Sequence, residues 1–410
     1  MDGLGRPGHQ RLNTKGVKLM SRTTVVLGAG VGGLTAAAEL REILPDGDRV
    51  VLIDRSFRGS LGLSMLWVLR GWRTPQRVTV QPDAKALDGV ELITGEVQAI
   101  DTASRTVDYG EGESIRYDAL VIALGAQLDP SRLPGLPQAL DTGVAGEFYG
   151  IDAAADLHRR IEEMEAGRVL VLVAAVPFKC PAAPFEAAFL IADQLGDRFT
   201  TGAVSVDVFT PDPLPMPVAG PAVGNALVDM MGDKNIGFHG QMPATAVDPD
   251  ARAVEFADGT RESFDLLAVV PPHTPGAALA STGLGPAGWI PVDPATLATT
   301  AEGVFAVGDA TALMLANGKP LPKAAIFAEE EGRVAAHQAA RFLGYDAPDT
   351  HFTGHGACYV ELGADLAAKG EGDFLADPAP QVTLHEPSAA YHREKEQQER
   401  DWLQRWTDRA

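Results

Sequence analysis

A glycine-rich turn between a short strand and a helix restricts the fold of this chain more than any other feature. Residues 23–27 have the composition of a buried β-strand, and residues 28–33 follow in the pattern G-x-G-x-x-G. A helix-forming segment, 34–40, and a second apolar run, 50–53, come next, and Asp54 ends that run. Strand, turn, helix and strand in this order are typical of the βαβ unit that binds a dinucleotide.

Each residue type in this unit has a mechanical role. Gly28 makes the tight turn, Gly30 lets a pyrophosphate approach the backbone, and Gly33 lets the helix and the strand pack closely. The helix N-terminus supplies N–H donors and a positive dipole to the phosphates. Asp54 can accept hydrogen bonds from ribose hydroxyls, and Arg55 beside it is a further candidate for cofactor binding. We predict dinucleotide binding; a glycine-rich turn without a ligand is the alternative.

Composition and charge exclude several classes of function. The chain has 410 residues and a net charge of −21, so it can form two or three domains and repels nucleic acid phosphates. The longest apolar runs, 119–126 and 169–178, are too short to span a bilayer. Residues 1–22 are basic without an apolar core, which predicts a flexible extension and not a secretory signal. We predict a cytoplasmic protein that at most lies peripherally on the inner face of a membrane.

Two later segments identify the dinucleotide. Residues 117–125 form a buried strand that ends in a turn of small residues, and residues 300–309 form another strand that ends in Gly-Asp. Together with the first motif, this combination resembles the flavoproteins with two dinucleotide-binding domains. That group contains disulfide reductases, type II NADH dehydrogenases and sulfide oxidoreductases. The resemblance covers nearly the whole chain after Arg22.

The resemblance implies that the dinucleotide is FAD and suggests where parts of the molecule bind. Val97 would lie at the adenine, and Ala123 and Gly125 would form the turn that follows the strand at the cofactor. Gly308 and Asp309 would end the strand that returns to the first domain, where the aspartate binds the ribityl chain.

The segment after this strand also matches the flavoproteins. Residues 321–327 open an alanine-rich helix that we expect to extend to about Phe342, with Pro322 in its first turn. Lys323 and the helix N-terminus would favour the negative charge of reduced flavin beside its pyrimidine ring. The alternative is that Lys323 is a surface residue.

The middle of the chain lacks a second glycine motif. In relatives that use NADH, that motif follows the first strand of the middle domain, which corresponds here to residues 168–173. The segment 174–186 carries prolines and the bulky Phe178 instead. Because a pyrophosphate could not approach this backbone closely, the sequence argues against NAD(P)H as a substrate.

The two cysteines of the chain stand in segments that match one branch of the group. Cys180 lies in 179–186 and Cys358 lies in 356–361. Both segments closely resemble the redox-cysteine segments of sulfide:quinone oxidoreductases and of flavocytochrome c sulfide dehydrogenases. The resemblance implies a redox pair in which Cys358 faces the flavin and Cys180 carries the sulfur. The alternative is that both are buried hydrophobic residues, as free cysteines often are.

The neighbours of Cys180 suggest how the thiol is activated. Lys179 and a helix that begins near Pro184 are expected to lower the pKa of Cys180 and to hold it as a thiolate. Glu186 has two interpretations: it caps that helix, which we prefer, or it exchanges protons with the substrate as a catalytic residue.

Three segments depart from the pattern of the sulfide oxidoreductases. Residues 148–152 stand where a third cysteine often lies, so the two-cysteine arrangement is closer to the flavocytochrome c flavin subunit. Residues 55–75 contain no cysteine, so we predict non-covalent FAD. The tail, 392–406, is mostly charged and favours a solvated helix or one that contacts a second subunit; a homodimer and peripheral membrane contact stay open.

These observations predict an α/β fold with two Rossmann-like, three-layer dinucleotide-binding domains and a short C-terminal segment. The FAD-binding domain is split between 23–128 and 291–345. The second Rossmann-like domain, 149–290, lacks the nicotinamide fingerprint. The C-terminal segment, 346–410, carries the second redox cysteine.

The function implied is FAD-dependent oxidation of sulfide, or of a small thiol or persulfide, to sulfur or polysulfide. The electrons would pass to a quinone or to a cytochrome, with no nucleic acid partner and no metal site. Two alternatives are an NAD(P)H-linked FAD dehydrogenase or dithiol reductase, and a non-catalytic FAD-binding redox partner.

Overall fold

The computed structural model of the chain describes residues 21–407. The predicted extension, 1–22, lies outside the described residues except for Ser21 and Arg22. The backbone N–H of Arg22 donates to Asp48 Oδ1 at 3.0 Å, and its guanidinium donates to the carbonyl of Leu343. These two contacts hold the start of the described chain against the first domain.

Strands and helices alternate through most of the described chain, and three longer strands and a helix form its end. The strands are β1 (Thr23–Leu27), β2 (Arg49–Asp54), β3 (Val90–Thr94), β4 (Val97–Asp101), β5 (Thr106–Tyr109), β6 (Glu113–Arg116), β7 (Ala119–Ile122), β8 (Gln127–Leu128), β9 (Ala145–Glu147), β10 (Gly167–Val173), β11 (Val204–Phe209), β12 (Gly237–His239), β13 (Ala244–Asp248), β14 (Ala253–Phe256), β15 (Arg261–Ser263), β16 (Leu266–Val270), β17 (His273–Thr274), β18 (Val304–Ala306), β19 (His355–Gly363), β20 (Leu366–Asp373) and β21 (Gln381–Ser388). The helices are α1 (Val31–Ile43), α2 (Leu63–Arg70), α3 (Pro75–Val78), α4 (Leu136–Thr142), α5 (Ile151–Glu162), α6 (Ala183–Leu195), α7 (Asp197–Thr200), α8 (Pro221–Asp233), α9 (Ala277–Ser281), α10 (Ala325–Phe342) and α11 (Ala389–Trp406).

The first sheet is parallel and has the order β18-β7-β1-β2-β3. Its central strands are apolar throughout because helices and loops cover both faces; in β1, Val25, Val26 and Leu27 are completely buried. β18 comes from late in the chain and pairs with β7. This pairing returns the strand before Asp309 to the first sheet.

The second sheet repeats the same design. It is parallel, with the order β12-β11-β10-β16-β9. Each half also carries a three-stranded antiparallel sheet, β4-β5-β6 in the first and β13-β14-β15 in the second. The short pair β8–β17 joins the two halves. The predicted fold class is therefore confirmed, whereas the domain boundaries stay predictions.

The C-terminal region forms an antiparallel sheet, β19-β20-β21, followed by α11. The expectation of a solvated helix in the tail is wrong. Lys395, Glu399, Trp402 and Trp406 form one buried face of α11, since they recur at a spacing of three or four residues. Trp402 and Trp406 pack in the core of the first domain.

Two further observations concern the helices. α10 ends at Phe342 as expected but begins at Ala325, so Pro322 precedes the helix and does not lie in its first turn. Among the helices of residues 21–407, none combines the length and the apolar character that crossing a bilayer requires.

Candidate functional site

The glycine turn after β1 has the geometry of a phosphate-binding loop. Gly28 has φ +94°, and a Cβ there would lie 2.5 Å from the carbonyl oxygen of Ala123. A Cβ on Gly33 would lie 1.8 Å from the carbonyl oxygen of Gly28, so neither position tolerates a side chain. Gly30 faces open space. The N-terminus of α1 has no side-chain cap and no acidic residue in its first turn, which leaves its N–H groups for a phosphate.

Asp54 lies beside this turn, at the end of β2. Its carboxylate accepts hydrogen bonds from the backbone N–H groups of Ala29, Ser56 and Phe57 at 2.8, 2.9 and 2.8 Å. The carboxylate therefore fixes the shape of the turn, and its position at the strand end is the one expected of a ribose ligand.

The other residues predicted at the cofactor surround the same edge of the sheet. The N–H of Gly95 donates to the carbonyl of Asp54 at 2.9 Å, which brings Val97 at the start of β4 close to the end of β2. Arg55 is exposed beside Asp54. Gly125, with φ +66°, faces open space after β7.

Lys323, in the segment before α10, is hydrogen-bonded to the turn that follows β18. Its ammonium donates to the carbonyls of Asp309 and Thr311 at 2.7 and 3.0 Å and lies 4.1 Å from the ring centroid of Trp289. Burial lowers the pKa of Lys323 to about 8. The interpretation of Lys323 as a surface residue is therefore wrong. The carboxylate of Asp309 accepts no hydrogen bond from any group in residues 21–407, and it is free to bind a ligand hydroxyl.

Glu331, in α10, is a buried acid that sequence reasoning missed. It accepts a hydrogen bond from the N–H of Gly308, and burial raises its pKa to about 7. Glu331 therefore anchors the turn that carries Asp309. A single acid inside an alanine-rich helix gives no signal of such a role.

These features fit FAD. The open backbone at Gly30, the uncapped start of α1 and the unpaired carboxylate of Asp309 match a pyrophosphate and a polyhydroxylated chain. The residues expected to hold the cofactor are those predicted from the sequence, namely Gly28, Gly30, Gly33, Asp54, Arg55, Val97, Ala123, Gly125, Gly308, Asp309 and Lys323.

The loop after β10 is attached to the flavin domain. The N–H of Cys180 donates to the carbonyl of Lys323 at 2.7 Å, and Lys179 and Lys323 form a β-bridge. Cys180 has φ +56°, a left-handed conformation that costs free energy in a residue with a Cβ and is often found at functional sites. Where a nicotinamide-binding domain would hold phosphates, this chain has a contact between its domains.

The second cysteine, in β19, lies near the first. The charge of Cys358 contributes, after burial, to raising the pKa of Cys180 to about 12. Burial, followed by the charge of Glu186, raises the pKa of Cys358 to about 11. Lys395 opposes both shifts. The expectation of a lowered Cys180 pKa is therefore wrong: desolvation of the half-buried residue raises the pKa, and the ammonium of Lys179 lies 5.6 Å from the centroid of a tyrosine ring.

Glu186 does not cap α6, so the preferred interpretation from the sequence is wrong. The side chain is buried and accepts a hydrogen bond from Lys395. The Lys395 ammonium also lies 3.8 Å from Glu361, which His392 contacts at 2.9 Å. Burial, reinforced by the charge of Glu361, raises the pKa of Glu186 to about 7, although Lys395 opposes the shift. Such a carboxyl can exchange a proton at neutral pH.

An apolar cavity of about 590 Å³ adjoins the cysteines and the flavin site. Cys358 and Lys323 both line it, and so do Phe178 and Pro181, on either side of the Lys179–Cys180 pair. Its wall on the C-terminal sheet includes Val382. Within residues 21–407, no group of three or more histidine, cysteine or acidic side chains could hold a metal ion.

Comparisons with known proteins agree with this geometry. A family model for pyridine nucleotide-disulphide oxidoreductases matches residues 22–332. The chain is 26% identical to the sulfide-quinone reductase of Aquifex aeolicus over 376 residues, which cover 88% of this chain and 84% of the relative. It is 23% identical to the mitochondrial sulfide:quinone oxidoreductase of Mus musculus over 364 residues, 86% of this chain and 78% of the relative. The X-ray structure of the A. aeolicus sulfide:quinone oxidoreductase aligns with a TM-score of 0.81 and 22% identity, over 95% of this chain and 92% of that chain.

These matches confirm the resemblance inferred from the sequence and the fold that it implies. The family model spans well over half of the chain and includes both five-stranded parallel sheets. The chain belongs to the pyridine nucleotide-disulphide oxidoreductase family, and it is an FAD-dependent oxidoreductase.

Proposed function

We propose that this protein oxidises sulfide at a Cys180–Cys358 redox pair and passes the electrons through FAD to a quinone. The observation that carries the proposal is the position of Cys358. It lines an apolar cavity together with Phe178 and Pro181, on either side of the Lys179–Cys180 pair, and with Lys323 of the flavin site. The names of the two curated relatives support the same donor and acceptor.

The chemistry begins with the oxidised pair. Hydrosulfide attacks Sγ of Cys180, a new S–S bond forms, and the Cys180–Cys358 bond breaks with its electron pair leaving on Cys358. A second hydrosulfide removes the outer sulfur as the hydrogen disulfide anion, HSS⁻, leaves Cys180 as a thiolate and releases one proton to solvent. Re-forming the bridge releases two electrons, and FAD held by the residues named above would supply the two-electron chemistry that links the cysteine pair to the acceptor. In total, two hydrosulfide ions, one quinone and one proton give HSS⁻ and a quinol.

Glu186 and Lys395 are suited to handle the protons of this cycle. Burial disfavours the thiolate form of both cysteines, because it raises the pKa of each thiol. We infer that the carboxyl of Glu186, with a pKa of about 7, protonates the leaving thiolate of Cys358 and takes the proton back when the bridge re-forms.

The cavity favours a quinone over a cytochrome as the electron acceptor. Its volume of about 590 Å³ lies within the range of small-molecule sites, and its lining is mostly apolar. A cytochrome would dock on the protein surface, so it would not require such a cavity. NAD(P)H is disfavoured because the loop that would hold its phosphates pairs with Lys323. Peripheral membrane contact, a homodimer and a cytoplasmic location stay predictions from the sequence.

Anaerobic addition of sulfide to the FAD-loaded protein tests the proposal. We expect rapid bleaching of the flavin in the wild type. Cys180→Ser and Cys358→Ser should keep FAD and its reduction by dithionite but lose bleaching by sulfide. Bleaching in both variants would overturn the two-cysteine mechanism, and bleaching of the wild type by NADH instead of sulfide would favour a dehydrogenase. Mixing the reduced wild type with a short-chain quinone or with cytochrome c identifies the acceptor.

A further inference from the structure

Two aromatic side chains from different parts of the chain meet near Lys179, the residue that precedes Cys180. Tyr149 lies between β9 and α5, and His273 begins β17 in the pair that joins the two domains. Their ring centroids are 4.9 Å apart, with the rings edge to face. Lys179 covers the ring of Tyr149.

One polar atom of each side chain is buried and lacks a hydrogen-bond partner among the described residues. The ring of Tyr149 is partly exposed, but its hydroxyl oxygen and the Nε2 atom of His273 are both enclosed. Buried polar groups are almost always paired, and each exception requires an explanation. Two exceptions in contact suggest one missing ligand.

The two atoms have opposite hydrogen-bonding character. His273 Nδ1 lies 2.9 Å from the carbonyl of Pro271, so Nδ1 carries the proton and Nε2 offers a lone pair. Burial, followed by the charge of Lys179, lowers the pKa of His273 to about 4, and the imidazole is neutral. The Tyr149 hydroxyl is a neutral donor, because burial and the neighbouring charge of Cys180 raise its pKa. A matching ligand must accept one hydrogen bond and donate another.

The site is also separate from the apolar cavity. Tyr149 and His273 do not line that cavity, whereas Cys358 does. The Lys179 ammonium lies 5.6 Å from the centroid of the Tyr149 ring, and the N–H of the next residue, Cys180, donates to the carbonyl of Lys323 in the flavin segment.

We propose that Tyr149 and His273 form a hydrogen-bonding subsite for hydrosulfide and for the hydropersulfide that it forms on Cys180. The Tyr149 hydroxyl donates to a lone pair of the outer sulfur, and Nε2 of His273 accepts from its S–H group. The S–H bond stays intact, so both residues position sulfur and neither removes its proton. The subsite rests on the proposed sulfide oxidation and deepens it, since it identifies how a ligand of one heavy atom is recognised.

Anaerobic stopped-flow reduction of the FAD-loaded protein by sulfide tests the subsite. Tyr149→Phe should raise the sulfide concentration for half-maximal flavin reduction by about tenfold, the effect of losing one hydrogen bond, with a smaller change in the limiting rate. His273→Leu should raise this concentration similarly. His273→Gln keeps a hydrogen-bond acceptor, so its half-saturating sulfide concentration should stay close to that of the wild type. Tyr117→Phe is the matched control, because the Tyr117 hydroxyl is also buried without a partner but lies in the first domain near Arg105 and Asp101.

The outcomes separate the subsite from the function on which it rests. If sulfide bleaches the wild type and Tyr149→Phe has the same half-saturation as Tyr117→Phe, the subsite is wrong and sulfide oxidation stands. If Tyr149→Phe changes the affinity for FAD or the flavin spectrum before sulfide is added, with unaltered sulfide dependence, the hydroxyl contacts the flavin and the subsite is again wrong. Failure of sulfide to bleach the wild type overturns both proposals.

Discussion

At the scale of single residues, two buried carboxylates share one ammonium group. Glu186 and Glu361 are 2% and 0% exposed, and both lie within ion-pair distance of Lys395. One cation cannot fully compensate two buried anions, so the pair favours a proton on one carboxyl at neutral pH. The proton resides on Glu186 in our interpretation, because Glu361 also accepts hydrogen bonds from His392 and Trp67.

The pH dependence of sulfide-driven flavin reduction tests this role of Glu186. The acid form donates the proton to Cys358, and its pKa is raised from about 4.5 to about 7. The rate of the wild type divided by that of Glu186→Gln should therefore fall as pH increases through about 7 and then level off. Ionisation of sulfide itself affects both proteins equally and cancels in this ratio. A ratio that does not vary between pH 6 and 8 would exclude Glu186 as the proton donor.

At the scale of secondary-structure elements, strand β20 forms the part of the cavity wall that lies beside Cys358. Gly370 pairs with Cys358 on one side and with Leu384 on the other. A Cβ on Gly370 would have its nearest neighbour, the Cδ1 atom of Leu384, at 3.8 Å. This position therefore has space for a side chain that would occupy the cavity.

Gly370→Leu should weaken quinone binding while the sulfide half-reaction changes little. Filling the cavity is expected to raise the KM for a short-chain quinone by about tenfold, or about 1.4 kcal/mol of binding free energy. Gly232→Leu is the control, because Gly232 is exposed in α8 with no atom within 4 Å of its Cβ position. Equal quinone KM values in the two variants would remove the cavity as the acceptor site.

The sequence predicted the local features of the site but not the contacts between distant segments. The turn at Gly28–Gly33 was predictable because its chemistry is local: the residues that form it are consecutive and each has a backbone reason. The partner of Glu186 was not predictable, because Lys395 lies 209 positions away and no local pattern joins the two. The pKa of Cys180 was misjudged for the same reason, since burial by distant elements outweighs its neighbour Lys179.

At the scale of the whole molecule, α11 connects both domains. Glu399 accepts hydrogen bonds from Ser64 and Arg73 of the first domain, and Lys395 reaches Glu186 in the second. The charged composition of the tail concealed this role. A buried face could have been predicted from the spacing of Lys395, Glu399, Trp402 and Trp406. Two of these four residues are charged, however, and charged residues usually lie on the solvated face of a helix.

Thermal unfolding of the FAD-loaded protein tests whether this helix stabilises the assembled domains. Lys395→Met leaves Glu186 and Glu361 buried without their cation, which should cost about 3–5 kcal/mol and lower the unfolding midpoint. Arg400→Met, on the exposed side of the same helix and paired only with Glu396 among acidic side chains of the described chain, should change the midpoint little. Adding Glu361→Gln to Lys395→Met should recover part of the loss, because it removes the buried carboxylate that has lost its cation. Equal midpoints for Lys395→Met and Arg400→Met would mean that the helix packs through Trp402 and Trp406 alone, and that the buried ion pair serves proton transfer and not stability.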